Sequence, residues 1–194
     1  VNSLVPLAML GWYEYHGHAG ANPPEYAVHT TGMLALVFLL LSLCVTPLRQ
    51  LTGINWFSNF RRMLGLFSFF YAVLHFFLYL GFYQSWRLTG FLYEITHTNY
   101  IFYGLACLTL MIPLALTSTT GAIKRMGAKN WKNLHSIVYL AAIAAVVHYY
   151  NLVKLDHTIP DLFAIALIAL LYYRLVNAGK KNLPAPVIPL PTER

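Results

Sequence analysis

The sequence predicts an all-α integral membrane protein: a six-helix transmembrane bundle, its first helix short, with both termini cytoplasmic. Three observations predict it. Of 194 residues, 58% are hydrophobic and only 10% are charged. The apolar residues gather in long runs, and the basic residues fall between those runs on one side. Soluble domains average about 45–50% apolar and about 25% charged residues, so a soluble fold of this composition would lack the polar surface to cover itself. A mean hydropathy of +0.57 excludes disorder, and two cysteines exclude a disulfide scaffold. The net charge of +7 would suit nucleic acid, but it is spread over loops between apolar runs. The membrane's sorting of charge accounts for it. The expected partner surface is the lipid bilayer, with no nucleic acid.

A bilayer core of about 30 Å needs roughly 20 apolar helical residues. The runs 28–48, 61–83, 99–118, 132–153 and 159–177 meet that length. A sixth, 1–15, reaches only about 22 Å and reads as a short or truncated first helix. Pro47 is expected to close the 28–48 run, Pro160 to open the last, and Pro113 to kink 99–118. Residues 1–178 form the transmembrane domain. Residues 179–194 form a cytoplasmic tail, whose Pro184, Pro186, Pro189 and Pro191 read as an extended arm. The N-terminus shows no basic region and no small-residue cleavage site, so no signal peptide is read there. Cys44 and Cys107 lie in apolar runs as buried, inert thiols.

Orientation follows from Lys and Arg. The stretches 49–62, 119–132 and 174–194 hold eleven of the 13, leaving Arg87 and Lys154 on the other side. The positive-inside rule makes the first group cytoplasmic. The acids sort oppositely: Glu14, Glu25, Glu94, Asp156 and Asp161 are on the outer side and only Glu193 is inside. No Gly-rich nucleotide loop is present, so any NAD(P)H chemistry belongs to a partner.

Eight histidines in so apolar a chain are the informative feature, because an ionisable group within a span is costly. His16, His18, His97 and His157 fall in outer loops and read as solvated or interfacial. His29 begins the 28–48 run on the outer side. It can cap the helix, bond a propionate or quinone, or ligate a metal. His75 and His148 differ from these. His75 lies 14 residues above Arg61, or about 21 Å, and His148 lies 16 residues above Lys132, or about 24 Å. Two histidines at matched depth on two parallel helices can face each other across a flat cofactor, and neutral imidazoles in an apolar pocket suit axial ligation of haem iron. On helical spacing His148 shares its face with Leu134, Ile137, Ala141, Ala144 and Ala145. His75 shares its face with Arg61, Leu64, Ser68, Ala72 and Tyr79. These small residues leave room for a porphyrin edge; tight helix packing is the alternative reading.

His135 sits near the cytoplasmic surface, 13 residues before His148. That rise of about 20 Å suits stacked haems, but a straight helix leaves the two side chains about 140° apart. The 61–83 run offers no matching second ligand, only Arg61 and Arg62. One histidine beside a cluster of cations suits an anionic cofactor such as a flavin phosphate. Simple positive-inside anchoring is the alternative. His135 would be a hydrogen-bond partner there or the lone protein ligand of a second haem.

Three segments carry a family resemblance. FRRMLGLFSFFYAVLHFFLYL (60–80) resembles the third helix of the MsrQ family, within the ferric-reductase-like transmembrane superfamily. LALTSTTGAIKRMGAKNWKNLHSIVYLAAIAAVVHYY (114–150) resembles its fourth-to-fifth helix connection, and HTTGMLALVFLLLSLCVTPLR (29–49) its second helix. The resemblance implies a haem-binding subunit in the bacterial inner membrane, serving the repair of oxidised periplasmic proteins. It implies haem b, with a second haem left open, and FMN. Electrons would come from a cytoplasmic flavin reductase or the quinone pool. The acceptor would be a periplasmic molybdopterin enzyme that reduces methionine sulfoxide, so catalysis falls on a partner and this chain is an electron-transfer subunit. The family's haem histidines map onto His75, His135 and His148. Two rivals stay open: a metal reductase acting at the outer haem edge, and a transporter with histidine relays. The second has weak support, since no span carries an acid near its midplane.

Overall fold

Asn22 and a pair of prolines set the start of the longest helix. The computed structural model describes residues 4–16 and 22–181, which form helices and turns without strands. A short helix α1 (Val5–Tyr15) comes first. Asn22 then caps α2 (Pro23–Thr52): its side chain accepts from the Glu25 amide and donates to the Glu25 carboxylate, while Pro23 and Pro24 occupy positions whose N–H groups have no helical acceptor. Gly53, at φ 72°, closes α2 in the left-handed conformation. A 3₁₀ turn, Asn55–Phe57, leads into α3 (Ser58–Phe82). The remaining helices are α4 (Leu88–His97), α5 (Asn99–Leu116), α6 (Thr120–Met126), α7 (Ala128–His135), α8 (Val138–Leu152) and α9 (Thr158–Lys181).

Five segments are long and apolar enough to cross a membrane: Pro23–Thr52, Asn55–Phe82, Asn99–Leu116, Ala128–Leu152 and Thr158–Asn177. The expected sixth is α1, whose 11 residues rise only about 17 Å. It falls short of the bilayer core, so the described residues supply five such segments, not six. Apolar side chains such as Phe70, Leu140, Ile165 and Ile168 face outward.

Helix α2 packs along α3, and α5 packs along α8. The two pairs meet in a core of Leu36, Leu39 and Leu43 from α2, Cys107 and Met111 from α5, and Ala141 and Ala142 from α8. The alanines allow close approach of backbones, as is usual where helices pack in lipid. Ser68 of α3 ties the first pair, donating to the Ala35 carbonyl at 2.8 Å.

Three expectations need correction. Pro47 does not close α2, which runs on to Thr52. The 84–98 stretch, expected as an outer loop, contains α4, anchored by buried Phe91 against Leu80 and Ile101. The 132–153 run is not one straight helix. It breaks at Ser136 and Ile137, where i→i+3 bonds (Ile137 N–H to Leu134, Tyr139 N–H to Ser136) tighten the backbone between α7 and α8. Helix α9 extends to Lys181, beyond the end of its apolar segment at Asn177. The proline-rich arm beyond it and His18 lie outside the described residues.

Candidate cofactor site

Between the two helix pairs lies a cavity of about 420 Å³, within the range of small-molecule and cofactor sites. His75 of α3 and His148 of α8 face one another across it, ring centres 6.1 Å apart and planes at 80°. Each ring is held by the same device. His75 Nδ1 donates to the Val28 carbonyl at 2.8 Å, and His148 Nδ1 donates to the Tyr100 carbonyl at 2.7 Å. One helical turn beyond each carbonyl stands a glycine. A Cβ at Gly32 would come within 2.9 Å of His75 Nδ1, and one at Gly104 within 2.8 Å of His148 Nδ1. Glycine is required at both positions because the imidazole occupies the space of its missing side chain.

The protonation pattern follows from these bonds. A carbonyl has no proton to give, so Nδ1 carries the hydrogen and Nε2 keeps the lone pair of the neutral ring. Metal-ligating histidines are oriented in this way, with one nitrogen on a carbonyl and the other free to bind. With ring centres 6.1 Å apart, the two Nε2 atoms would hold one metal ion between them. No group of three or more His, Cys, Asp or Glu converges among the described residues. Two opposed nitrogens therefore fit a metal that brings its own planar ligands, as haem iron does. Ala72, Ala145 and Gly104 line the walls with small groups.

The acidic end of this cavity carries polar groups. Glu25 and His29, one turn apart on α2, stand at its rim with Tyr79, Tyr83, Tyr100 and Tyr149. His29 meets Tyr149 edge-on at 6.0 Å. The Tyr79 hydroxyl donates to the Glu94 carboxylate and accepts from Gln84 Nε2 at 3.0 Å. The turn between α3 and α4 presents Gln84, and it holds Ser85 and Trp86 at φ 47° and 61°. Burial, and then the Glu25 charge, push the Tyr83 phenol above its ordinary pKa, so it stays protonated there.

A second, smaller cavity of about 180 Å³ lies toward the basic end. Arg61, Arg62, Trp131 and His135 line it, and Leu39 and Met111 wall both cavities. His135 stacks on Trp131 with ring centres 3.9 Å apart, and its Nε2 lies 3.1 Å from Thr117 Oγ1. The Thr117 hydroxyl also meets the Pro113 carbonyl, at 2.6 Å; with its proton turned there, it accepts from His135 Nε2. Trp131 Nε1 donates to the Thr117 carbonyl at 2.9 Å. Because of the break before α8, helical spacing carried through residues 136–137 does not describe this wall.

Arg61, Arg62 and His135 are thus brought together at one cavity, and His75, His148 and His29 at the other. His16, His97 and His157 line neither; they stack on Trp12, Tyr93 and Tyr150 respectively. Sequence reasoning missed Gly32, Gly104 and Thr117. A glycine in each of two spans that precede a histidine-bearing span was the available signal.

Residues 31–146 match the family model of the ferric reductase like transmembrane component. The chain is 42% identical over 185 residues to the protein-methionine-sulfoxide reductase heme-binding subunit MsrQ of Deinococcus radiodurans, covering 95% of this chain and 91% of that protein. It is 38% identical to the MsrQ of Herminiimonas arsenicoxydans, over 94% of this chain and 84% of the relative. The MsrQ of Rhodospirillum rubrum is 42% identical, over 94% and 88%. The chain belongs to the MsrQ family. Five apolar helical segments among the described residues and membership of a transmembrane family make it a multi-pass membrane protein. The haem named in its MsrQ relatives is a group that the donor set and spacing of the larger cavity accommodate. In this MsrQ chain the matched segment includes both cavity glycines and His75, and ends two residues before His148.

Proposed function

We propose that this chain is the haem-binding membrane subunit of a protein-methionine-sulfoxide reductase, passing electrons across the bacterial inner membrane to a periplasmic partner that performs the reduction. The observation that carries this reading is the pair of carbonyl-tied imidazoles, His75 and His148, facing each other across an apolar cavity. Their Nε2 atoms would hold the iron of one haem b, and the glycine and alanine walls leave space for the ring. When bound, the haem supplies reversible one-electron chemistry. The chain supplies position, a low dielectric and exclusion of water. His29, which lines the same cavity, would hydrogen-bond a propionate or a quinone.

At the basic end, Arg61 and Arg62 would hold the phosphate of FMN or dock a cytoplasmic flavin reductase; a guanidinium binds phosphate in bidentate fashion and stays protonated. His135 acts beside them as a hydrogen-bonding residue. Its Nε2 is committed to Thr117, which favours this role over that of lone ligand to a second haem. The basic loops favour a cytoplasmic face for this end. Electrons then enter there, from a flavin donor or quinol, and leave at the acidic end toward a periplasmic molybdopterin enzyme.

The purified full chain should give b-type bands in a reduced-minus-oxidised visible spectrum. The reduced bands should bleach on addition of methionine sulfoxide only when the partner reductase is present. Bleaching by a ferric chelate alone, with no response to the partner, would point to a metal reductase. A protein without visible bands would refute the proposal outright.

A further inference from the structure

Arg174 stands on α9 within the apolar segment Thr158–Asn177, where a guanidinium is costly unless its donors are satisfied. From sequence it reads as one of the tail's topogenic cations. The structure turns it inward instead. Nη1 donates to the Tyr139 hydroxyl of α8, and Nη2 donates to the Leu43 carbonyl of α2 at 3.0 Å and to Thr46 Oγ1 at 3.3 Å. The guanidinium carbon sits 4.8 Å from the centre of the Tyr139 ring. These partners are neutral, and Arg174 Nε is buried with none.

The Leu43 carbonyl explains the arrangement. In an unbroken α-helix it would accept from the N–H of residue 47. Residue 47 is proline, inside α2, and has no N–H to give. Leu43 is 1% exposed, so water does not replace the missing donor, and a buried carbonyl left alone is unfavourable.

We propose that Arg174 is a positioning residue that supplies, from α9, the donor that Pro47 withholds from α2. It thereby fastens α2, α8 and α9 beside the Arg61–Arg62–His135 cavity. Leu43 and Val138 wall that cavity, and the clasp grips Leu43 itself and Tyr139, the neighbour of Val138. The planar fork of arginine reaches two helices at once; a lysine ammonium is a single compact point. This inference does not depend on which cofactor fills either cavity.

A double-mutant cycle on the full chain in detergent tests it, reading thermal midpoints of Arg174→Met, Arg174→Lys, Pro47→Ala and the Pro47→Ala/Arg174→Met pair. Arg174→Met should lower the midpoint by several degrees, and Arg174→Lys should recover less than half of the loss. In the Pro47→Ala background, where the backbone N–H is restored, the cost of Arg174→Met should shrink by at least half. An equal cost in both backgrounds would overturn the proposal, and so would full recovery by Lys, because then charge alone matters. If Arg174→Met fails to fold, recovery of a folded double variant supports the clasp and its failure contradicts it.

Discussion

At the acidic end of the bundle two imidazoles are tied through Nδ1 and offer Nε2 to a shared cavity. At the basic end one imidazole is tied through Nε2, leans on a tryptophan and faces two guanidinium groups. The residue type is the same, and the nitrogen that is held differs. Backbone carbonyls one turn before Gly32 and Gly104 set the first pattern; the Thr117 hydroxyl, which also meets the Pro113 carbonyl, sets the second. The comparison teaches that a histidine in a membrane span is read through the group that holds its other nitrogen. A pair with matched tethers suits axial ligation, and a single ring amid cations suits work on an anion.

The most damaging way to break the first pattern, short of removing a histidine, is to fill the glycine notch. Gly32→Ala or Gly104→Ala would push a methyl group to within 3 Å of a tethered ring nitrogen. Alanine is the better helix former by about 1 kcal/mol, so helix propensity cannot account for a loss. Each variant should weaken haem retention about 10–100-fold, the cost of disturbing the group that orients a metal-ligating histidine. Haem content after detergent washing measures it.

The second pattern should break independently. The Arg61→Gln/Arg62→Gln pair should slow reduction by a flavin donor about tenfold, as loss of charge-assisted bonds to a phosphate implies. The visible spectrum of the other cavity should stay intact. Stopped-flow reduction reads the rate, and unchanged kinetics would leave these arginines as helix anchors only.

A smaller effect is expected from Thr117→Val, which keeps shape and removes the hydroxyl that meets His135 Nε2. One buried hydrogen bond lost costs about 1 kcal/mol, so the thermal midpoint should fall by a few degrees with haem content unchanged. Loss of haem in this variant would place His135 among the iron ligands and collapse the distinction between the two ends.

Much of this was legible in the sequence because lipid leaves few options. Long apolar runs had to be helices, and counting residues from Arg61 and Lys132 brought His75 and His148 to similar depth, as their facing rings require. What was not legible rests on contacts distant in the chain. Arg174 bonds a carbonyl 131 residues away, so neither its inward turn nor the survival of α2 past Pro47 could be read locally. The break at Ser136 and Ile137 carries no proline or glycine to announce it, yet it ends α7 at His135. Helix α4 escaped notice because its ten residues are too few for a strong periodic signal and it packs through a single buried aromatic, Phe91.

The most direct measurement of the central claim is haem content per chain in purified His75→Ala and His148→Ala, with His135→Ala and His157→Ala alongside. If His75 and His148 are the opposed ligands, the first two variants lose most of their haem and the latter two retain it. Full haem in both of the first two would contradict the account.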